Sequence, residues 1–203
     1  MKKIILTTLI AVLAIVSVSA QATFGIKGGV NFASILNENI AGVKGRTSFH
    51  AGIVTEIETS STTSVQVEIV YSGQGFSYEG GLIDIEDVPK DTYKLNYLNI
   101  PFVFKYYVND EFSVEVGPQV GFLLSAKTDE GDIKVDKYFT AASFDLLFGL
   151  AYKFDNGFNL SARYNLGLTD IWKGPTINPG YPYYYQYGKV NGVVQLGLGF
   201  YFN

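Results

Sequence analysis

From Thr23 to Phe202 the chain repeats a two-residue alternation of apolar and polar side chains in eight separate segments, and few folds accept that pattern. The first segment sets Phe24, Ile26, Val30 and Phe32 against Lys27, Gly29 and Asn31. The second sets Phe49, Ala51, Ile53 and Ile57 against His50, Gly52 and Glu56, and the third Val65, Val67, Ile69 and Tyr71 against Gln66, Glu68 and Ser72. Leu98 to Tyr106, Phe112 to Leu124, Phe144 to Tyr152, Phe158 to Leu166 and Val194 to Phe202 continue the pattern. Most segments reach the roughly 9–11 residues that a tilted membrane-crossing strand requires. An even number of such strands closes into a barrel without a free edge.

The connections alternate in length. Long ones fall near 34–47, 73–92, 125–140 and 169–191; short ones fall near 59–64, 108–111 and 155–157. Asn109-Asp110-Glu111 and Asp155-Asn156-Gly157 are turn sequences suited to tight hairpins. Short turns at one end and long loops at the other are the anatomy of outer-membrane barrels. On that pattern the short turns and both chain ends lie on the periplasmic side.

Alternation alone does not say which face points out, since a soluble ligand-binding barrel inverts the same pattern. Three features favour greasy-side-out. The polar face mixes charges with glycines, such as Glu115 with Gly117 and Gly121, which suits the narrow interior of eight strands. Aromatic residues gather toward segment ends (Tyr71, Tyr97, Tyr106, Tyr107, Phe112, Phe154, Phe158, Phe200 and Phe202), as in the girdles of membrane barrels. The start of the chain also has the grammar of an export signal. Lys2 and Lys3 precede the apolar run Ile4 to Val16, and Val18-Ser19-Ala20 supplies small residues before Gln21. That run falls short of the roughly 20 apolar residues of a spanning helix. The expected organisation is a signal peptide over 1–20 and one barrel domain over 21–203.

Composition agrees. Charged residues make up 17% and aromatics 15%, with 22 glycines. The formal charge of −4 argues against nucleic acid as a partner. No cysteine is present, which excludes disulfides, thiol chemistry and lipoprotein attachment. Pro101 and Pro118 fall inside strands, where each removes a ladder donor, and bulges are expected there.

Five stretches carry a family resemblance: Phe24-Gly-Ile-Lys-Gly-Gly-Val-Asn31, Val67-Glu-Ile-Val-Tyr-Ser-Gly-Gln-Gly-Phe76, Tyr97-Leu-Asn-Ile-Pro-Phe102, Gly117-Pro-Gln-Val-Gly-Phe-Leu-Leu124 and Arg163-Tyr-Asn-Leu-Gly-Leu168. With these the chain resembles the PorT-like outer-membrane β-barrel proteins of Bacteroidetes. The resemblance implies a small OmpA/OmpX-like barrel in which prolines at positions 101 and 118 are tolerated. It brings no catalytic motif with it. A link to the secretion system served by PorT itself rests on analogy alone.

The inward charges expected from the alternation are Lys27, Glu56, Glu68, Lys105, Glu115, Asp145, Lys153 and Arg163. They read as an ion or proton path, or more plainly as a salt-bridge network filling the lumen, and the near balance of signs favours the network. His50, the sole histidine, sits near the outer end of the second segment with Ser48 close by in sequence, but no motif makes them a catalytic pair. The last long loop holds Tyr181, Tyr183, Tyr184, Tyr185 and Tyr187 after Trp172. These are candidates for surface binding, because tyrosine joins a large contact area to a polar tip; the plainer reading is a collar packed on the barrel rim. Acidic loop residues such as Asp129, Glu130 and Asp132 lack the spacing of a calcium loop.

The sequence thus predicts an all-β protein: an eight-stranded antiparallel up-and-down transmembrane barrel, monomeric and without cofactor, preceded by a signal peptide. Its expected surroundings are outer-membrane lipid and lipopolysaccharide, with an extracellular ligand reached through the long loops. Its expected role is structural or surface-interacting and non-enzymatic. The competing classes are a secretion accessory, a lipid-modifying enzyme, a narrow channel and a secreted ligand-binding barrel.

Overall fold

The computed structural model describes residues 22–36, 43–78, 91–129, 136–172 and 190–202. Eight strands form one closed antiparallel barrel in chain order: β1 (Ala22–Leu36), β2 (Val43–Ser60), β3 (Thr63–Tyr78), β4 (Asp91–Tyr107), β5 (Phe112–Thr128), β6 (Ala142–Lys153), β7 (Phe158–Gly167) and β8 (Val190–Phe202). β1 pairs with β8 from Phe24↔Phe202 to Leu36↔Val190, so no strand is left with an open edge.

The short connections behave as their sequences predict. The Asn109 side-chain oxygen accepts from the backbone N–H groups of Glu111 and Phe112, at 3.1 and 2.6 Å, and closes that turn locally. Gly157 ends the next turn at a φ of 86°, a conformation that favours glycine.

Orientation is unambiguous. Phe102 is 41% exposed and Leu198 49%, whereas Glu68 is 1% and Arg163 5%. The apolar face looks outward along the wall and the ionic face inward, which rules out the inverted soluble barrel. Among the described residues no helix is long and apolar enough to cross a membrane.

Three expectations need correction. The strands at the long-loop end run further than the sequence pattern indicated; β2, for example, begins at Val43 and is 18 residues long. His50 therefore lies well inside β2 rather than near its outer end. A ladder bonds through its backbone, so it can continue past the point where side-chain alternation fades.

The two prolines make no bulge. Pairing of β3 with β4 lapses between Val67↔Phe102 and Val70↔Asn99, beside Pro101, and resumes in the same register. Pairing of β4 with β5 lapses between Pro101↔Gln119 and Phe104↔Val116, across Pro118, again without a shift. A missing N–H deletes a bond but demands no extra residue. Gly117 helps, because a Cβ there would lie 1.9 Å from the Phe102 carbonyl oxygen. The register shifts fall instead between Gly45 and His50, between Glu58 and Ser60, and beside Asn96 and Tyr97.

The third correction concerns the inward face near the last of these shifts and two tyrosines of β4. β5 carries an extra residue opposite Asn96 and Tyr97, so Ala126 and Thr128 turn inward beyond it. Tyr97, expected in an outer girdle, is 1% exposed inside the barrel. Tyr107 also turns inward, toward Glu56, rather than joining the girdle.

Candidate functional site

Among the described residues the interior concentrates the buried polar and charged side chains. It has two levels. The level near the short turns is ionic. Arg163 on β7 reaches Glu68 on β3 at 2.6 Å and Glu115 on β5 at 2.6 Å. Lys27 on β1 meets Glu68 at 3.0 Å. Lys105 on β4 meets Glu56 on β2 at 2.9 Å and Glu115 at 3.8 Å. Three cations and three carboxylates form one neutral network spanning six strands that are not all neighbours. Inward alternation on each strand supplies these residues, and the narrow diameter brings opposite walls within side-chain reach.

Buried charges are tolerable only when paired and further hydrogen-bonded, and these are. Ser64 donates to Glu56 at 2.6 Å, and the Tyr107 hydroxyl also donates to Glu56. Gln66 donates to Glu68 through its amide nitrogen. Its amide oxygen accepts from Lys105 at 3.2 Å and from the Tyr201 hydroxyl at 2.8 Å. The Lys105 ammonium also stands 5.4 Å from the centre of the Tyr107 ring.

Above the ions lies a layer of amides around His50. The Asn31 amide nitrogen donates to Ser72 and to the Gly73 carbonyl at 3.0 and 2.8 Å. Its oxygen accepts from Gln195 at 3.0 Å and faces His50 Nδ1 at 2.7 Å. An amide oxygen only accepts, so Nδ1 carries a proton. Ser48 donates to the Gly73 carbonyl, not to His50, and the two do not form a nucleophile–base pair.

Six of the eight charges read from the sequence therefore join one network. The other two do not. Among the described residues Asp145 accepts only from Gln119 at 2.8 Å and from Ser143 at 3.4 Å. Lys153, half-buried at the short-turn end of β6, makes no ion pair among the described residues. Nearby, Tyr97, Asn99, Asn165 and Asn191 carry buried side-chain atoms without a hydrogen-bond partner. Asn99 and Asn165 stand on the polar face that alternation marks, but nothing in their spacing singles them out.

The long-loop mouth is closed by apolar residues that sequence reasoning missed. Phe76, Leu95, Tyr97, Ala126, Phe139 and Ile171 form a buried cluster, with Tyr93, Tyr138 and Trp172 packed against it. Phe76 stacks on Tyr93 with ring centres 4.9 Å apart, and Phe139 meets Trp172 edge-on at 5.1 Å. Trp172, a candidate surface binder, thus packs on the rim. Tyr181, Tyr183, Tyr184, Tyr185 and Tyr187 lie outside the described residues.

Several solved structures are similar to this chain. Neisserial surface protein A is 15% identical, with a TM-score of 0.53 over 89% of this chain and 99% of its own. Ail, the attachment invasion locus protein of Yersinia pestis, is 13% identical over 90% of this chain and 99% of its own, with a TM-score of 0.48. OprG, an outer membrane protein of Pseudomonas aeruginosa, is 14% identical over 90% of this chain and 96% of its own, with a TM-score of 0.44. No curated protein matches the sequence. The model of the outer membrane protein β-barrel domain matches residues 19–173, most of the chain, and with the greasy-side-out barrel in view the protein belongs to that family.

Proposed function

We propose that this protein is a non-conducting, non-enzymatic barrel that stands in the outer membrane as a monomer and offers its long connections to an extracellular ligand. One observation carries the reading: the lumen is occupied from wall to wall. Arg163 spans from Glu68 to Glu115 across the axis, and the mouth above is packed with Phe76, Phe139 and Ile171. A barrel of eight strands has no spare width for water beside such a network. With its interior given over to stability, what is left to vary is the loop end. There the rim aromatics Tyr138 and Trp172 precede the tyrosine-rich segment 181–187.

In this reading residues 1–20 are the export signal, Gln21 begins the mature chain, and lipid and lipopolysaccharide surround the wall. The five sequence motifs support kinship with the PorT-like barrels of Bacteroidetes. Planar-bilayer recording tests the closed lumen: the purified barrel gives no stable conductance steps, and a steady ohmic current would refute it. Binding of whole cells to host-matrix glycans and proteins, with and without residues 176–187, tests the loop. Equal binding by both would end the ligand-presenting part of the proposal.

A further inference from the structure

Asp145 is the one carboxylate of the described lumen that the ionic network leaves uncompensated. It is 8% exposed and its neighbours Gln119 and Ser143 are neutral donors. An ionised carboxylate taken out of water without a counter-charge costs several kcal/mol. All three lumenal cations of the network are engaged with Glu56, Glu68 and Glu115.

Beside the Gln119 amide that donates to Asp145, two side-chain oxygens converge. Asn99, Gly121 and Ser143 lie side by side across β4, β5 and β6, one step from Gln119 and Asp145 in the same ladders. A Cβ on Gly121 would stand 2.5 Å from Ser143 Oγ and 2.8 Å from Asn99 Oδ1, so both oxygens face one point above the glycine. Asn99 is 1% exposed, and neither of its amide atoms has a partner. The Tyr97 hydroxyl is also buried and unpartnered. Native interiors satisfy such atoms almost without exception, so a cluster of them beside a lone carboxylate signals a bound species.

We infer that Asp145, Asn99 Oδ1 and Ser143 Oγ, beside Gly121, form a binding site for a monovalent alkali cation. Hard cations take oxygen ligands from carboxylate, amide and hydroxyl groups, as offered here. A single carboxylate balances a charge of +1. A divalent ion would leave a net positive charge in the interior, and the described residues hold no group of three acidic or histidine ligands. Gly121 matters because any side chain would occupy the point the oxygens face. The cation completes what the lower network does for itself: every buried charge is matched.

The test uses the full chain purified from membranes in zwitterionic detergent. Its thermal unfolding is compared in sodium, potassium and choline chloride at one ionic strength. Sodium or potassium raises the melting temperature by about 2–4 °C over choline, the shift that binding worth a factor of several in the folding equilibrium produces in a chain of this size. Asp145→Asn, which keeps the shape and removes the charge, abolishes the difference between salts. Gly121→Ala, which leaves Asp145 in place and fills the space, abolishes it independently. Identical melting of the unaltered protein in all three salts would overturn the site. So would an alkali-specific rise that survives both substitutions.

Discussion

The two ends of the barrel interior solve the same problem by opposite means. Near the short turns, Lys27, Lys105 and Arg163 are each locked to glutamates contributed by distant strands. At the long-loop mouth the filling is apolar and aromatic, and Phe139 and Ile171 come from the connections between strands rather than from strands. The ionic end ties the wall together across the axis; the aromatic end caps it. The difference teaches that cohesion here is set less by residue chemistry than by which backbone carries it. An ion pair between two ladders is held by every bond of both, whereas a ring on a connection is held by the few bonds of that connection.

The largest expected effect comes from breaking the ionic end at its hub. Arg163→Met leaves Glu68 to Lys27 alone and Glu115 to Lys105 at 3.8 Å. Removing one partner from a buried network strands charge in the interior, at a cost of about 3–5 kcal/mol. Equilibrium unfolding in urea, followed by the gel-mobility change of the folded barrel, measures it. A loss below about 1 kcal/mol would mean the network fills space without holding the wall.

A smaller effect is expected at the other end. Phe139 is 2% exposed, between Tyr93 and Trp172, so Phe139→Ala removes a buried ring. Its segment is tied down by a short list of bonds, among them Leu123 N–H to the Ala141 carbonyl at 2.9 Å and Thr140 N–H to the Ile171 carbonyl at 2.8 Å. The cost is about 1–3 kcal/mol. It falls locally: amide hydrogen exchange quickens over 138–141 and 168–172 while β7 and β8 keep their protection. Quickening throughout β7 and β8 would show that the cap and the barrel unfold as one unit, and the contrast between the two ends would fail.

How much of this was legible beforehand follows the same division. The outward face of every strand could be read, down to Phe102, Leu146 and Leu198, because side chains in a ladder alternate without exception until a bulge intervenes. The bulge beside Tyr97 is where reading failed. Nothing in the Leu123-Leu124-Ser125 sequence marks an extra residue, so the inward turn of Ala126 was not readable; that of Tyr97 was, because it shares the face of Asn99 and Lys105 on β4. Inward charges could be named one by one, since charge on the polar face has nowhere else to go. Their partners could not: pairing Glu68 with Arg163 depends on barrel diameter and strand stagger, which are global quantities. The aromatic cap escaped notice because Phe76, Phe139 and Ile171 fall in stretches whose alternation had already faded.

The smallest effect separates pairing as such from pairing in the interior. Lys94 and Asp129 form a salt bridge at the long-loop rim, with side chains 39% and 56% exposed. On paper it resembles Lys105 with Glu56, where exposure is 1% and 8%. Water and salt make the two different. At the rim both ions are solvated before and after the contact forms, the attraction is screened, and two long side chains lose freedom to make it. Lys94→Met is therefore expected to cost about 0–1 kcal/mol, and less in 0.5 M salt than in dilute buffer. The comparison needs both measurements, because a salt-insensitive loss would come from packing of the lysine stem rather than from its charge. If Lys94→Met instead cost as much as Arg163→Met, ion pairing would stabilise this barrel wherever it occurs, and burial of the lower network would no longer explain its strength.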